Sequence, residues 1–172
     1  MQFDQRIVMV TGAAGNLGRA VAAAFDALGA TVVRLGRNDT VERELEGHGR
    51  VDVLCNIAGA FRMGKPLHET TDADWDFLFD ANAKTVLNTC RAVVPSMIAN
   101  GGGKIVNVGA YAALKGAAQM GAYVASKSAV IRITETMAAE LRDKNINVNC
   151  VLPSIIDTPE NRAAMPKADP GR

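Results

Sequence analysis

Short apolar runs alternate along this chain with longer amphipathic stretches. Arg6-Ile7-Val8-Met9-Val10 is a compact apolar run suited to a buried strand, and the helix-forming residues Arg19 to Phe25 follow it across a glycine-containing turn. The same reading predicts strands over 6–10, 31–36, 51–55, 104–108 and 146–151, and helices over 17–28, 39–47, 71–99 and 121–143. Thr71-Asp72-Ala73-Asp74 supplies a helix start, and Gly101-Gly102-Gly103 stops the long helix before the next strand. Strands that alternate with helices imply a parallel sheet covered on both faces, a Rossmann-type doubly wound α/β fold with three α/β/α layers in a single domain. That domain is expected over residues 1–158. The remaining stretch, 159–172, carries Pro159, Pro166 and Pro170 with few large apolar residues and is expected to be a mobile tail.

Composition narrows the class of molecule. With 172 residues and 48% hydrophobic content the chain can bury a substantial core. Its 19 basic and 18 acidic residues leave a formal net charge of +1, which gives no electrostatic case for nucleic acid or an anionic membrane as partner. No segment approaches the ~18 continuous apolar residues of a membrane span, and Met1 to Arg6 lacks a signal-like block. Cys55, Cys90 and Cys150 are widely spaced and embedded in apolar runs, so they read as free buried thiols of a reducing, cytoplasmic compartment. His48 and His68 stand apart from any ligand cluster, and no metal site is expected.

Two local patterns carry chemistry. Thr11-Gly12-Ala13-Ala14-Gly15-Asn16-Leu17-Gly18 joins the first strand to the first helix, the context in which glycines form a phosphate-binding turn. Gly12 suits a tight turn, Gly15 allows backbone to approach a pyrophosphate, and Gly18 lets the helix pack close to the sheet. Tyr123 and Lys127 stand four apart in a predicted helix and so share one face. A cation beside a phenol stabilises the phenolate and brings a group with a solution pKa of about 10 towards neutral pH, as general acid/base work requires.

Together with Asn56-Ile57-Ala58-Gly59, Asn82, and Pro153 to Thr158 after the last strand, these motifs give a chain that resembles the short-chain dehydrogenase/reductase family. They occur in the family's order and span nearly the whole sequence. The resemblance implies an NAD(P)-dependent oxidoreductase that moves a hydride between nicotinamide and a carbonyl or alcohol carbon of a small molecule. It implies Tyr123 as the proton-exchanging group, Lys127 as ribose ligand and tuner of the tyrosine, and Asn82 as holder of a water in the proton relay. Gly12, Gly15, Asn16, Leu17, Gly18, Asn56, Ala58 and Gly59 are the implied cofactor contacts, with Pro153, Ile156 and Thr158 bordering the nicotinamide. Similar enzymes pair two helices across a two-fold axis. The small and apolar residues Val86, Leu87, Ala92, Val93, Ala129, Ile133, Met137 and Ala138 are therefore expected to build a homodimer or homotetramer.

Departures from the family pattern are specific. The residue thirteen positions before Tyr123, usually a serine that polarises the carbonyl, is Ala110. Loss of one such donor costs roughly 3 kcal/mol of transition-state stabilisation. An alanine here, within Val108 to Leu114, resembles dihydropteridine reductases, whose substrates need less polarisation; the other alternative is a dinucleotide-binding protein with impaired catalysis. Asn16 replaces the usual second glycine, and asparagine tolerates positive φ. At the end of the second strand Gly36 stands where an NAD enzyme carries an acidic residue, and Arg37 follows with a guanidinium that matches a 2′-phosphate, so NADP is expected over NAD. Only thirteen residues separate Arg37 from Val51, too few for the strand and helices that family members carry there. The chain also ends before the family's last helix and strand, so the sequence reads as shortened internally and at its C-terminus.

Overall fold

The computed structural model describes residues 3–37, 39–164 and 166. Five strands, β1 (Ile7–Thr11), β2 (Thr31–Leu35), β3 (Val53–Asn56), β4 (Gly103–Val108) and β5 (Ile146–Val151), form one parallel sheet in the order β2-β1-β3-β4-β5. Among the described residues six α-helices accompany it: α1 (Asn16–Ala27), α2 (Val41–His48), α3 (Asp72–Phe79), α4 (Thr85–Ala99), α5 (Gly121–Leu141) and α6 (Pro159–Ala164). The reversal of strand order between β1 and β3 opens a crevice at the carboxyl ends of the strands, the place where doubly wound sheets bind ligands.

The apolar runs became strands because their neighbours demand it. Val33, Met9, Leu54, Ile105 and Val148 lie side by side across the five strands and form one row of the main core, under α2, α4 and α5. The opposite row, with Val8, Val10, Val53 and Cys55, packs beneath α1 through Ala22, Val21 and Phe25. That second face is covered only over its β2, β1 and β3 portion among the described residues. On β4 and β5 the outward positions Lys104, Asn147 and Asn149 are exposed, which gives these two strands the alternation of a half-solvated sheet. β3 begins two residues later than the apolar run predicts, because the Asp52 carboxylate accepts the Ile7 N–H at 2.8 Å and pairs with Arg6 at 2.9 Å.

Between β2 and β3 the described residues hold α2 and no strand. The long predicted helix over 71–99 is real but interrupted: α3 runs through a π turn at Asp80–Lys84 into α4. Thr71 caps its start by accepting the Asp74 N–H. The expected tail begins as the short helix α6; apart from Pro166, its residues beyond Ala164 lie outside the described part.

A chain of buried amides and hydroxyls ties the layers together. Thr89 of α4 donates to Asn56 Oδ1 at 2.6 Å, Asn56 donates to Asn107 Oδ1 at 2.9 Å, and Asn107 donates to Thr134 Oγ1 of α5 at 2.9 Å. Among the described residues no buried side-chain polar atom lacks a partner. Asn107→Ala takes the oxygen acceptor from the Asn56 amide and the donor from the Thr134 hydroxyl, which keep only Cys90 Sγ and the Val130 carbonyl respectively, and is expected to cost about 3 kcal/mol in urea unfolding. A loss below about 1 kcal/mol would mean the network contributes little.

Candidate functional site

The site is assembled at the carboxyl edge of the sheet. β1 ends in Thr11, whose hydroxyl accepts the N–H groups of Ile57 and Ala58, each at 3.0 Å, and so pins the loop after β3 against the loop after β1. Gly12 follows with φ of +63°, and a Cβ there would lie 2.8 Å from the Ala58 Cα. A Cβ on Gly18 would press into the Gly12 carbonyl group, with the carbonyl carbon at 2.8 Å. Both glycines are therefore fixed by space, and Gly12 by torsion as well. Gly15 is the N-cap of α1, and no side chain caps that helix start, which leaves it suited to an anionic group. Asn16 is the first helical residue and is not in the left-handed region, so its tolerance of positive φ plays no part; its side chain accepts a hydrogen bond from Arg19.

Above these elements lies a cavity of about 1650 Å³. Gly12, Gly15, Asn16, Leu17, Gly18, Arg37, Ala58, Gly59, Tyr123, Lys127, Pro153 and Ile156 all line it. Tyr123 and Lys127 reach it from one face of α5, as their spacing requires. Tyr123 packs against the apolar cluster of Ala110, Ala113 and Ile131, and its ring meets Phe61 edge-on, with centroids 4.8 Å apart. Ala110 also lines the cavity, in the same cluster against which the tyrosine packs.

Lys127 is 5% exposed, and its Nζ donates to the Val108 carbonyl at 2.8 Å. Burial brings its pKa down to about 8, with the nearby Cys150 thiol acting weakly in the other direction. Burial also pushes the Tyr123 phenol above its ordinary value. The sequence argument had the cation lower the phenol; here the ammonium is directed at the β4 carbonyl and desolvation governs the tyrosine, which stays protonated at neutral pH.

Three expected contacts sit elsewhere. Asn56 is 2% exposed and its carboxamide belongs to the buried network between α4 and α5, so it supports the cavity floor instead of lining it. Thr158 accepts the Asn161 N–H and starts α6. Asn82 is fully buried within the π turn. Its Nδ2 donates to the Ala60 carbonyl and to Ser126 Oγ, each at 3.0 Å, and its Oδ1 accepts the Ala60 N–H at 2.9 Å. Both amide hydrogens are used within the protein, so this side chain clamps the loop after β3 to α5. Gly59 makes the clamp possible: a Cβ there would lie 2.8 Å from Asn82 Oδ1 and 3.1 Å from Lys127 Nζ.

The sequence reading missed Ser126, which links Asn82 to the Tyr123 backbone carbonyl, and Phe61, which packs on the tyrosine ring. Ser126 lies inside the Tyr123 to Lys127 motif, and a buried hydroxyl one residue before the lysine was the available signal. Asp39, Thr40, Val41 and Glu42 also line the cavity, where the shortened segment brings the start of α2 to its rim. No three His, Cys, Asp or Glu side chains converge among the described residues, and no helix there is long and apolar enough to cross a membrane.

Known proteins resemble this chain in sequence and in overall fold. A sequence model described as short chain dehydrogenase matches residues 37–169. The chain is 31% identical to dehydrogenase/reductase SDR family member 6 of Xenopus laevis, over 94% of this chain and 75% of that protein. It is 32% identical to the 3-oxoacyl-(acyl-carrier-protein) reductase FabG of Thermotoga maritima, over 98% of this chain and 81% of that protein. The latter alignment runs over 200 positions, more than the 172 residues here, so the relative holds residues inside the matched region that this chain lacks. A short chain dehydrogenase of Shigella flexneri, solved in complex with NADP, superposes with a TM-score of 0.87 at 26% identity, over 98% of this chain and 84% of that one. By its match to the family model and its identity to these relatives, the chain belongs to the short-chain dehydrogenase/reductase family of oxidoreductases.

Proposed function

We propose that the protein transfers a hydride between NADP(H) and the carbonyl or alcohol carbon of a small molecule, with Tyr123 as general acid and base. The observation that carries this reading is the joint placement of Tyr123 and Lys127 on the wall of a cavity whose other end is the uncapped glycine turn before α1. When bound, NADPH supplies the hydride; the residues of this chain do the rest. The backbone of Gly15 to Gly18 receives the pyrophosphate at the helix start, and Lys127 holds the nicotinamide ribose. Tyr123, kept protonated by burial, donates its phenolic proton to the carbonyl oxygen during reduction and takes it back during oxidation. Asn82 and Ser126 fix the loop after β3 against α5 and so position the tyrosine.

Arg37 lines the cavity next to Gly36, which has no side chain of its own to accept a ribose hydroxyl, and the guanidinium supports NADP over NAD. The Shigella structure that contains NADP supports the same cofactor class. A cytoplasmic setting fits Cys55 and Cys90, both buried free thiols pushed up to about 11 by burial. A second reading, a dinucleotide-binding protein with impaired catalysis, rests on Ala110, whose methyl cannot donate to a developing oxyanion. Turnover of no ketone, quinone or pterin despite NADPH binding would favour it.

Tyr123→Phe is expected to retain NADPH binding and to lower kcat by about 10²-fold or more. Ala110→Ser is expected to raise the reduction rate of simple ketones by about tenfold or more; an unchanged rate would place Ala110 away from the carbonyl. Lys127 gives a pH prediction. Between about 8 and its ordinary value the unfolded chain binds more protons than the folded one, so stability rises with pH across that window. Lys127→Met removes this rise, measured as the difference between variant and wild-type urea midpoints from about pH 7.5 to about 9.5; equal slopes would contradict it. Homodimerisation through α4 and α5 is also proposed. Val86 and Val93 are consumed by the core, while Leu87 is 45% exposed and available to a partner. Native mass spectrometry is expected to give a dimer or tetramer, and a monomer alone would refute it.

A further inference from the structure

The end of β2 holds a carboxylate that the strand itself does not encode. Asp39 lies three residues beyond Gly36, yet its Oδ2 accepts the Gly36 N–H at 2.7 Å. The same oxygen lies 3.2 Å from the point a Cβ on residue 36 would occupy. The chain turns back at once from β2 towards α2, and this short return sets the carboxylate beside the bare strand end. Its other oxygen, Oδ1, accepts no hydrogen bond among the described residues, and Asp39 and Arg37 form no ion pair with each other there. Both residues line the cavity, with Glu42 of α2 adding negative charge on the same side.

The two charges read the same atom of a ligand in opposite ways. A carboxylate accepts hydrogen bonds from the 2′- and 3′-hydroxyls of an adenosine ribose and repels a 2′-phosphate; a guanidinium favours the phosphate. We propose that Asp39 is a specificity-determining residue at the adenosine ribose, acting against Arg37 and holding NAD(H) and NADP(H) within about tenfold of each other in affinity. The inference rests on the dinucleotide reading above and deepens it: Arg37 sets the sign of the preference and Asp39 limits its size.

The test uses 5′-AMP and adenosine 2′,5′-bisphosphate, which carry the ribose without the nicotinamide, titrated calorimetrically alongside NADH and NADPH. Binding is thus read independently of turnover and of Tyr123. Asp39→Asn keeps an oxygen for the Gly36 N–H and removes only the charge. It is expected to tighten the 2′-phosphorylated ligands by about tenfold and to weaken the 2′-hydroxyl ligands several-fold. Arg37→Gln is expected to move the ratio the other way. Asp39→Ser, a second short neutral acceptor, gives the same reading if the asparagine variant fails to fold. Unchanged ratios in the Asp39 variants, with all ligands still binding, would overturn this inference and leave the dinucleotide reading standing. Failure of wild-type protein to bind either dinucleotide would overturn both.

Discussion

Backbone meets backbone at Gly12, Gly18 and Ala58 with no room for a side chain at either glycine, and the rest of the site depends on that contact. The Gly12 carbonyl lies against the Gly18 Cα, and Gly12 itself lies against Ala58. The first contact seats α1 directly on the sheet, and the second draws the loops after β1 and β3 together, where the Thr11 hydroxyl fastens them. An extra carbon atom at either glycine would have to push a helix or a loop outward. The crevice at the carboxyl edge takes its width from these approaches, not from the side chains that line it.

The chemistry-bearing groups are held from behind by buried polar residues, of which Thr89 also lines the cavity. Asn82 uses both amide hydrogens to join the loop after β3 to α5, and Ser126 passes that restraint to the Tyr123 carbonyl. Thr89, Asn56, Asn107 and Thr134 join α4 to α5 through the central strands. Buried amides impose direction where apolar contacts do not, since each hydrogen bond is lost by a small rotation. The same enclosure explains the electrostatics. Lys127 is brought down to about 8 and Tyr123 is raised because both are withdrawn from water, which leaves the lysine closer to losing its proton and the tyrosine further from losing its own.

Much of this was legible in the amino-acid order. Continuous apolar runs located all five strands because a parallel sheet buries its central strands on both faces, and the i, i+4 spacing put Tyr123 and Lys127 on one cavity wall. Twelve of the expected cofactor contacts line that cavity, while Asn56 and Thr158 turn away from it. What sequence could not convey was direction. Asn56 turns away because its partner, Asn107, lies 51 residues further on, and no local pattern announces that distant amide. Asp39 reads as the start of a helix, and only the path of the shortened connection carries its carboxylate back to Gly36. The solvated outer face of β4 and β5 is written in Lys104, Asn147 and Asn149, yet alternation gains meaning only once strand order is known.

The account stands on a dinucleotide seated against the glycine turn, and calorimetric titration of NADPH into wild-type protein and Gly18→Val tests it most directly. The account predicts binding at micromolar or tighter concentration by wild type and loss of at least about tenfold in a variant whose circular dichroism remains that of a folded α/β protein. Equal affinity in the two proteins, or no heat from the wild type, would contradict it.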